Sequence, residues 1–254
     1  MPQQYHYVVD QNVINIDLDA PVWRVFNSCR LRDEIAGNRL TLVRDGMWDD
    51  PFENFLEKWQ FILPTGESVR TDTILRRFFG QCWTHHATET DATWRIYSPD
   101  KHGVRVRSTV RALMTALWDQ SDTFAELKYF VGRVRYVRQD AILTAMTSSG
   151  TATGLLVGRG GWDQINMLLV KRQEFHHEEE VRLLFRDVDD QHTAERLFQR
   201  SVDPNRIYLE ATFDPRMLDD EYERQRSALI AAGFAGPISR SDLYQPPSGT
   251  AVLT

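Results

Sequence analysis

The sequence has few cysteines and no long apolar run. Its two cysteines, Cys29 and Cys82, form neither a disulfide framework nor, on their own, a zinc site. No apolar stretch approaches the roughly 18 residues that a membrane span requires, and Met1 is followed by polar residues rather than by a basic and then apolar leader. We therefore expect a protein of the reducing cytoplasm that has no membrane partner.

An excess of basic residues is also missing. The 36 acidic residues outnumber the 30 lysines and arginines, which gives a formal net charge of -6. This charge argues against a protein whose main role is to coat nucleic acid through a general basic field. With 254 residues, of which 42% are hydrophobic and 26% charged, the chain has the length and the composition of a soluble globular protein with a substantial core.

Alternating and helical patterns predict an α+β fold with a mixed, mostly antiparallel sheet and flanking helices. Strands are predicted at residues 22–26, 39–44, 78–84, 104–110, 132–137, 175–185 and 206–213. Helices are predicted at residues 89–97, 111–118 and 162–174, with others after Ser28 and after Asp214. We expect one domain over residues 21–245, with an N-terminal segment 1–20 before it and a flexible tail 246–254 after it.

The most informative stretch is FHHEEEVRLLF, residues 175–185. Its two-residue period places Glu178, Glu180 and Arg182 on one side of the predicted strand and apolar residues on the other. Two carboxylates about 7 Å apart on one side repel each other, so a partly buried pair needs a proton or a cation, and Arg182 is the obvious cation. The stretch is either an active-site row or an edge strand with a solvated charged face.

Further motifs carry a resemblance to a known family. They are the tryptophan and DPFE pattern between Trp48 and Glu53, the run CWTHHATETDATWRIYSPDKHGVRVR that begins at Cys82, and the HEEEVRL strand. Together these motifs resemble the bacterial family called domain of unknown function 2971, over roughly residues 22–244. This resemblance implies a family but no reaction.

A second resemblance does imply a reaction. The order of an arginine on a first strand, a serine or threonine on a second and Glu-x-Glu on a later strand is similar to the triad of ADP-ribosyltransferases, and maps to Arg24, Thr84 and the pair Glu178 and Glu180. It implies that Arg24 positions the NAD phosphate or ribose, and that Thr84 braces the nicotinamide pocket. Glu180 would then stabilise an oxocarbenium-like centre, while Glu178 orients the acceptor.

The activity implied by this resemblance is that of an NAD-consuming transferase, used as a bacterial toxin or in defence against phage. Trp94 and Tyr97, three residues apart on one face of a predicted helix, are further candidates for contact with NAD. The site needs no metal. Protein, nucleic acid and small molecule all stay open as acceptors, as do an antitoxin partner and a homo-oligomer.

Two other functions fit the same residues. A metal-dependent hydrolase or nuclease would draw its ligands from histidines and carboxylates, although adjacent histidines on a strand point to opposite faces. Its candidate ligands are His85, His86, His176, His177, Glu178, Glu180, Asp49 and Asp50. A non-catalytic nucleotide-binding module would instead stack a base in an aromatic groove. The groove candidates are Trp48, Trp83, Trp94, Tyr97 and Arg95.

Overall fold

A computed structural model of the protein describes residues 10–48, 60–62, 65–70, 77–148, 150 and 161–248. The strands in these residues are β1 (Val13–Ile14), β2 (Pro21–Asn27), β3 (Arg39–Arg44), β4 (Gln60–Ile62), β5 (Ser68–Arg70), β6 (Phe78–Thr84), β7 (Gly103–Thr109), β8 (Tyr129–Arg133), β9 (Arg135–Val137), β10 (Val170–Arg172), β11 (Glu180–Arg186), β12 (Leu197–Ser201), β13 (Glu210–Phe213) and β14 (Ile238–Arg240). The α-helices in the same residues are α1 (Ser28–Ala36), α2 (Asp91–Tyr97), α3 (Val110–Leu117), α4 (Ala125–Lys128), α5 (Gln139–Thr147), α6 (Trp162–Leu168) and α7 (Asp219–Ala231). Short 3-10 helices cover Asp45–Met47, Gln173–Glu178 and Pro204–Arg206.

A ten-stranded sheet forms the centre of the molecule. Its main path has the order β1-β8-β11-β6-β2-β7-β13-β14, and β3 pairs with both β6 and β12. Most neighbours are antiparallel, whereas β1 runs parallel to β8 and β13 runs parallel to β14. The pairs β9–β10 and β4–β5 form separate two-stranded ribbons. The predicted α+β class with a mixed, mostly antiparallel sheet is therefore confirmed.

The two faces of the sheet have different surroundings. One face, which we call the core face, packs its apolar side chains against α1, α3 and α7 in the larger hydrophobic cluster. The opposite face, which we call the polar face, carries Thr84, Glu180 and Arg182. A smaller apolar cluster, which includes Ile165 and Leu168 of α6, covers part of the polar face beside β8 and β11.

Several element boundaries differ from the sequence-based prediction; the strand predicted over residues 206–213, for example, begins only at Glu210, and the one predicted over 132–137 is divided between β8 and β9. Two of the differences affect the candidate site. The helix predicted over residues 162–174 ends at Leu168, and the chain continues as β10 and a 3-10 helix. The strand predicted from residue 175 begins only at Glu180, because Glu179 adopts a left-handed conformation with φ of 40°. Glu178 therefore lies on a turn before the strand rather than in register with Glu180.

Some of the predicted segments are described by the structure only in part, and others not at all. Strand β1 lies within the predicted N-terminal segment and pairs with β8. The DPFE motif, residues 151–160 and residues 249–254 of the predicted tail lie outside the described residues. In the part of the chain that the structure describes, we find no helix that is both long and apolar enough to cross a membrane.

Candidate active site

Residues of neighbouring strands form one row across the polar face. Glu180, at the start of β11, is the register partner of Thr84 at the end of β6, and Thr84 is the partner of Trp23 on β2. The same row continues through Arg107 to Glu210. Direct partners in an antiparallel sheet project to the same face with Cβ atoms about 5 Å apart. The sheet thus brings together two of the residues identified from the sequence, Thr84 and Glu180.

Glu180 is a buried, ionised carboxylate. Arg182 donates from Nε and Nη2 to its two oxygens, both at 2.9 Å, and Nζ of Lys171 lies 3.4 Å away. The side chain of Glu180 is only 5% exposed. Burial by itself would raise the pKa of this carboxyl group, but Arg182 and Lys171 outweigh it and lower the pKa to about 2. The expected cation, Arg182, is present, and Lys171 is a second cation that the sequence pattern did not indicate.

Glu178 approaches the same place from a different element. Its carboxylate accepts a hydrogen bond from Nζ of Lys171 at 2.6 Å, and its side chain is 16% exposed, so it is more accessible than Glu180. Tyr97 on α2 lies near this carboxylate: burial, and then the charge of Glu178, raise the pKa of its phenol. The residue as a whole is nevertheless 47% exposed, so the enclosed part of this side chain is its phenol end beside Glu178. The two carboxylates of the Glu-x-Glu motif therefore converge on one lysine, although only Glu180 belongs to the strand.

Thr84 holds the turn that leads from Glu178 into β11. Its Oγ1 donates to the backbone carbonyl of Glu178 at 2.6 Å and accepts from the backbone N–H of His86 at 3.0 Å. A further backbone bond runs from the N–H of His85 to the carbonyl of Glu179 at 2.8 Å. The hydroxyl is thus a structural link between the end of β6 and the turn before β11.

Trp23 follows Thr84 in the row, and a cation packs against its ring. The guanidinium of Arg105 lies 4.9 Å from the centre of its ring. Arg105 itself is buried and donates to the carbonyls of His86 and Ala87 at 3.1 and 2.7 Å. This arginine therefore fixes a half-buried indole next to the threonine.

Arg24 does not join this group. It alternates with Trp23 along β2 and so projects to the core face, where its Nη1 donates to the carbonyl of Cys82 and its guanidinium lies 5.0 Å from the ring centre of Phe26. Its Nε is buried and has no hydrogen-bond partner among the described residues. The thickness of the sheet thus separates Arg24 from the carboxylates that it was expected to accompany.

The aromatic groove expected for a binding module does not form from the proposed residues. Trp94 is fully buried and donates its indole N–H to Glu89 at 3.2 Å, so it anchors α2 rather than facing a ligand. Trp83 is buried on the core face. The guanidinium of Arg182 lies 4.3 Å from the ring centre of Trp48, and Arg95 forms an exposed ion pair within α2. Of the five candidates, Tyr97 alone is both exposed and near the carboxylates.

Within the described ranges, no group of three or more His, Cys, Asp and Glu side chains is arranged to hold a metal ion. The Nδ1 atoms of His85 and His86 lie within hydrogen-bond distance of backbone carbonyls, at 3.3 and 2.9 Å. His176 packs edge-on against a tyrosine ring. Asp49 and Asp50, two further candidate ligands, lie outside the described residues. His85, His86 and His176 thus contribute to local structure.

Comparisons with known proteins give no close relative. No family model matches the sequence, so membership in the domain of unknown function 2971 family is not supported, and no curated protein matches either. Solved structures of DarT from Thermus sp. 2.9 are similar in outline. The complex with NAD+ has a TM-score of 0.39 at 10% identity and covers 89% of this chain and 98% of that chain. The complex with ADP-ribosylated ssDNA has a TM-score of 0.39 at 9% identity and covers 87% and 93%.

Proposed function

We propose that the protein is an NAD-consuming enzyme of the ADP-ribosyltransferase kind, with its active site on the polar face at the start of β11. The observation that carries this proposal is the row Glu180, Thr84 and Trp23, which sets an ionised carboxylate, a hydroxyl and an indole on adjacent strands. Cleavage of the nicotinamide bond of NAD develops positive charge on the ribose. A carboxylate that is already ionised and held in place stabilises such charge without reorganisation.

Glu180 is the proposed catalytic residue, and its surroundings suit the task. Two cations let the carboxylate stay charged at a buried position, where burial alone would favour the neutral acid. A buried site also strengthens the electrostatic interaction with the substrate, because less water screens it. Arg24 has no part in this site, since it lies on the core face.

Glu178 and Tyr97 are proposed to contact the substrates. Glu178 is the more exposed carboxylate and is therefore better placed to orient the acceptor nucleophile. Tyr97 offers a partly exposed ring beside it, suited to stacking on a nicotinamide or adenine base. A role as a toxin or a phage-defence effector rests on the resemblance to ADP-ribosyltransferases alone.

The test is nicotinamide release from NAD by the wild type and two glutamate variants, beside the melting temperature with and without NAD. Glu180→Gln is expected to lower turnover about 100-fold or more, since it removes the charge that acts on the transition state. Glu210→Gln is the matched control, because Glu210 lies in the same row but pairs with Arg107 at the surface. This variant is expected to match the wild type.

Two results would contradict the proposal. A wild-type protein that neither releases nicotinamide nor melts at a higher temperature with NAD has no NAD site, since a ligand of the folded state must stabilise it. Full turnover by a folded Glu180→Gln variant would instead show that the reaction takes place without this carboxylate. Circular dichroism at the assay temperature separates lost chemistry from lost structure.

A further inference from the structure

The ribbon β9–β10 holds Glu180 from beside the main sheet. In this parallel pair Lys171 is the register partner of Tyr136, so both side chains project to the same side. Tyr136 Oη accepts a hydrogen bond from the backbone N–H of Glu180 at 2.8 Å, and Lys171 Nζ lies 3.4 Å from its carboxylate. The ribbon therefore contacts both the backbone and the side chain of the proposed catalytic residue.

Lys171 is a buried cation between two anions. Its side chain is 9% exposed, and Nζ lies 2.6 Å from Glu178 and 3.4 Å from Glu180. The ring of Phe175 lies 4.8 Å from the same nitrogen. Lysine is rarely this buried unless it is paired, and two carboxylates this close require a positive charge between them.

Resting on the function proposed above, we infer that Lys171 is a positioning residue. It bridges Glu178 and Glu180, fixes the separation of the two carboxylates and so determines the acid limb of the pH profile of NAD turnover. The lysine does not touch the reacting atoms. It acts through the two glutamates, which lie on different elements. Its Nζ contacts the carboxylate of Glu178 at 2.6 Å and that of Glu180 at 3.4 Å.

Other ionisable groups face the carboxylates from every neighbouring element. They are Arg182 on β11, Cys82 on β6, Tyr136 on β9, Tyr97 on α2 and, beyond Tyr136, His176 of the 3-10 helix. Burial raises the pKa of both Cys82 and Tyr136, so these two stay neutral near pH 7. Arg182 directs two donors to Glu180 and a third to the carbonyl of Leu168. Lys171 is thus the cation that Glu178 and Glu180 share.

The experiment compares kcat/KM for NAD against pH in the wild type, Lys171→Met and Lys171→Arg. Loss of an opposite charge at this distance raises the pKa of a carboxyl group by about 1 to 3 units. The acid limb of Lys171→Met is therefore expected to move up by at least about one pH unit. Lys171→Arg keeps the charge and is expected to restore most of the wild-type limb.

Lys128 provides the matched control. It also bridges two carboxylates, Asp122 at 2.8 Å and Asp189 at 2.6 Å, and its side chain is 10% exposed. It belongs to α4 and has no contact with either glutamate of the site among the described contacts. Lys128→Met is expected to lower stability about as much as Lys171→Met and to leave the acid limb unchanged. Identical limbs in the wild type and Lys171→Met would overturn the inference.

A readout without NAD separates this inference from the proposed function. With ¹³C-labelled glutamate side chains, the titration midpoint of Glu180 is expected to rise in Lys171→Met, which loses one of the cations that lower its pKa, and not in Lys128→Met. If the wild type consumes no NAD but this midpoint rises, the proposed function fails and the positioning of the carboxylates by Lys171 stands. If the wild type consumes NAD but the midpoint stays unchanged, the inference fails by itself.

If Lys171→Met does not fold, the inference can still be tested on the wild type and Glu178→Gln. The ¹⁵Nζ signal of Lys171 in the wild type is expected to be protected from exchange and to shift in Glu178→Gln, since the 2.6 Å contact loses its charge. An unprotected signal that is the same in both proteins would overturn the inference.

Discussion

Two buried glutamates on opposite faces of the sheet have opposite pKa shifts. Glu180, on the polar face, is 4% exposed, and Glu34, which α1 places against the core face, is 8% exposed. Burial favours the neutral acid at both positions. At Glu180 the cations Arg182 and Lys171 outweigh burial and lower the pKa, whereas at Glu34 burial prevails and raises it.

The difference lies in the partners rather than in the degree of burial. Glu180 has a bidentate contact with Arg182, whereas Glu34 accepts a hydrogen bond from the phenol of Tyr208, and Arg24 acts on it only through its nearby charge. A neutral donor supports a carboxylate less than a direct cation does. The polar face is therefore built to keep a carboxylate charged, and this is where the proposed chemistry requires one.

The largest expected loss of stability comes from removing the charge of Glu180. Glu180→Gln leaves the guanidinium of Arg182 buried without its counter-charge, which is expected to lower the free energy of unfolding by about 3 to 5 kcal/mol. Urea unfolding at neutral pH measures this loss. The surface pair of Glu210 and Arg107 serves as control, because Glu210→Gln is expected to cost less than about 1 kcal/mol. Equal losses of unfolding free energy in Glu180→Gln and Glu210→Gln would show that the buried ion pair of Glu180 stabilises the protein no more than the surface pair does.

The low pKa of Glu180 should also make the stability of the protein depend on pH. The pKa of Glu180 in the folded protein lies below its ordinary value of 4.5, so its contribution is fully present above that value. The contribution is lost as the pH falls from 4.5 towards about 2 and amounts to about 3 kcal/mol. Glu180→Gln is expected to lack this part of the acid transition. The same slope in both proteins would assign the transition to other groups.

A smaller effect is expected at the threonine of the row. Thr84→Val removes the donor to the Glu178 carbonyl and the acceptor for the His86 N–H, and is expected to cost about 1 to 2 kcal/mol. Thr84→Ser keeps the hydroxyl and should stay close to the wild type. Thermal unfolding of the three proteins provides the measurement. Equal melting temperatures for Val and Ser would show that the hydroxyl does not hold the turn.

The smallest effect is expected on the core face. The folded-state pKa of Glu34 is raised, so its contribution is fully present below its ordinary value and lost as the pH rises through the folded value. Glu34→Gln keeps an acceptor for Tyr208 without this loss, so at pH 7 its stability should lie within about 1 kcal/mol of the wild type, or above it. Urea unfolding at pH 4 and pH 7 tests this sign. A loss at pH 7 as large as that of Glu180→Gln would make the two faces equivalent.

Local periodicity predicted one part of the site correctly. The two-residue spacing that puts Glu180 and Arg182 on the same side of a strand is a property of a few adjacent residues, and the structure confirms it. The pairing of Thr84 with Glu180 depends on strand order, which short apolar runs do not specify. The sequence also does not specify which face of the sheet Arg24 projects to, because the pattern VWRVF shows only that Arg24 and Trp23 lie on opposite faces.

Lys171 was missed for a different physical reason. Apolar residues at helical spacing extend from Trp162 to Leu169, so the pattern favoured a helix that continued through residue 174. The short parallel pairing of β10 with β9 ends the helix instead at Leu168. This pairing is a contact between distant parts of the chain, and a local pattern carries no signal for it.

The most direct test of the proposed NAD site follows the indole N–H signals of the protein by NMR during titration with a non-hydrolysable NAD analogue. Trp23 lies in the row on the polar face, and Trp83 is buried on the core face and provides an internal reference. Trp23→Phe assigns the first signal. A saturable shift of the Trp23 signal with the Trp83 signal unchanged is expected, whereas an unchanged Trp23 signal at saturating analogue would show that NAD does not bind at this row of the polar face.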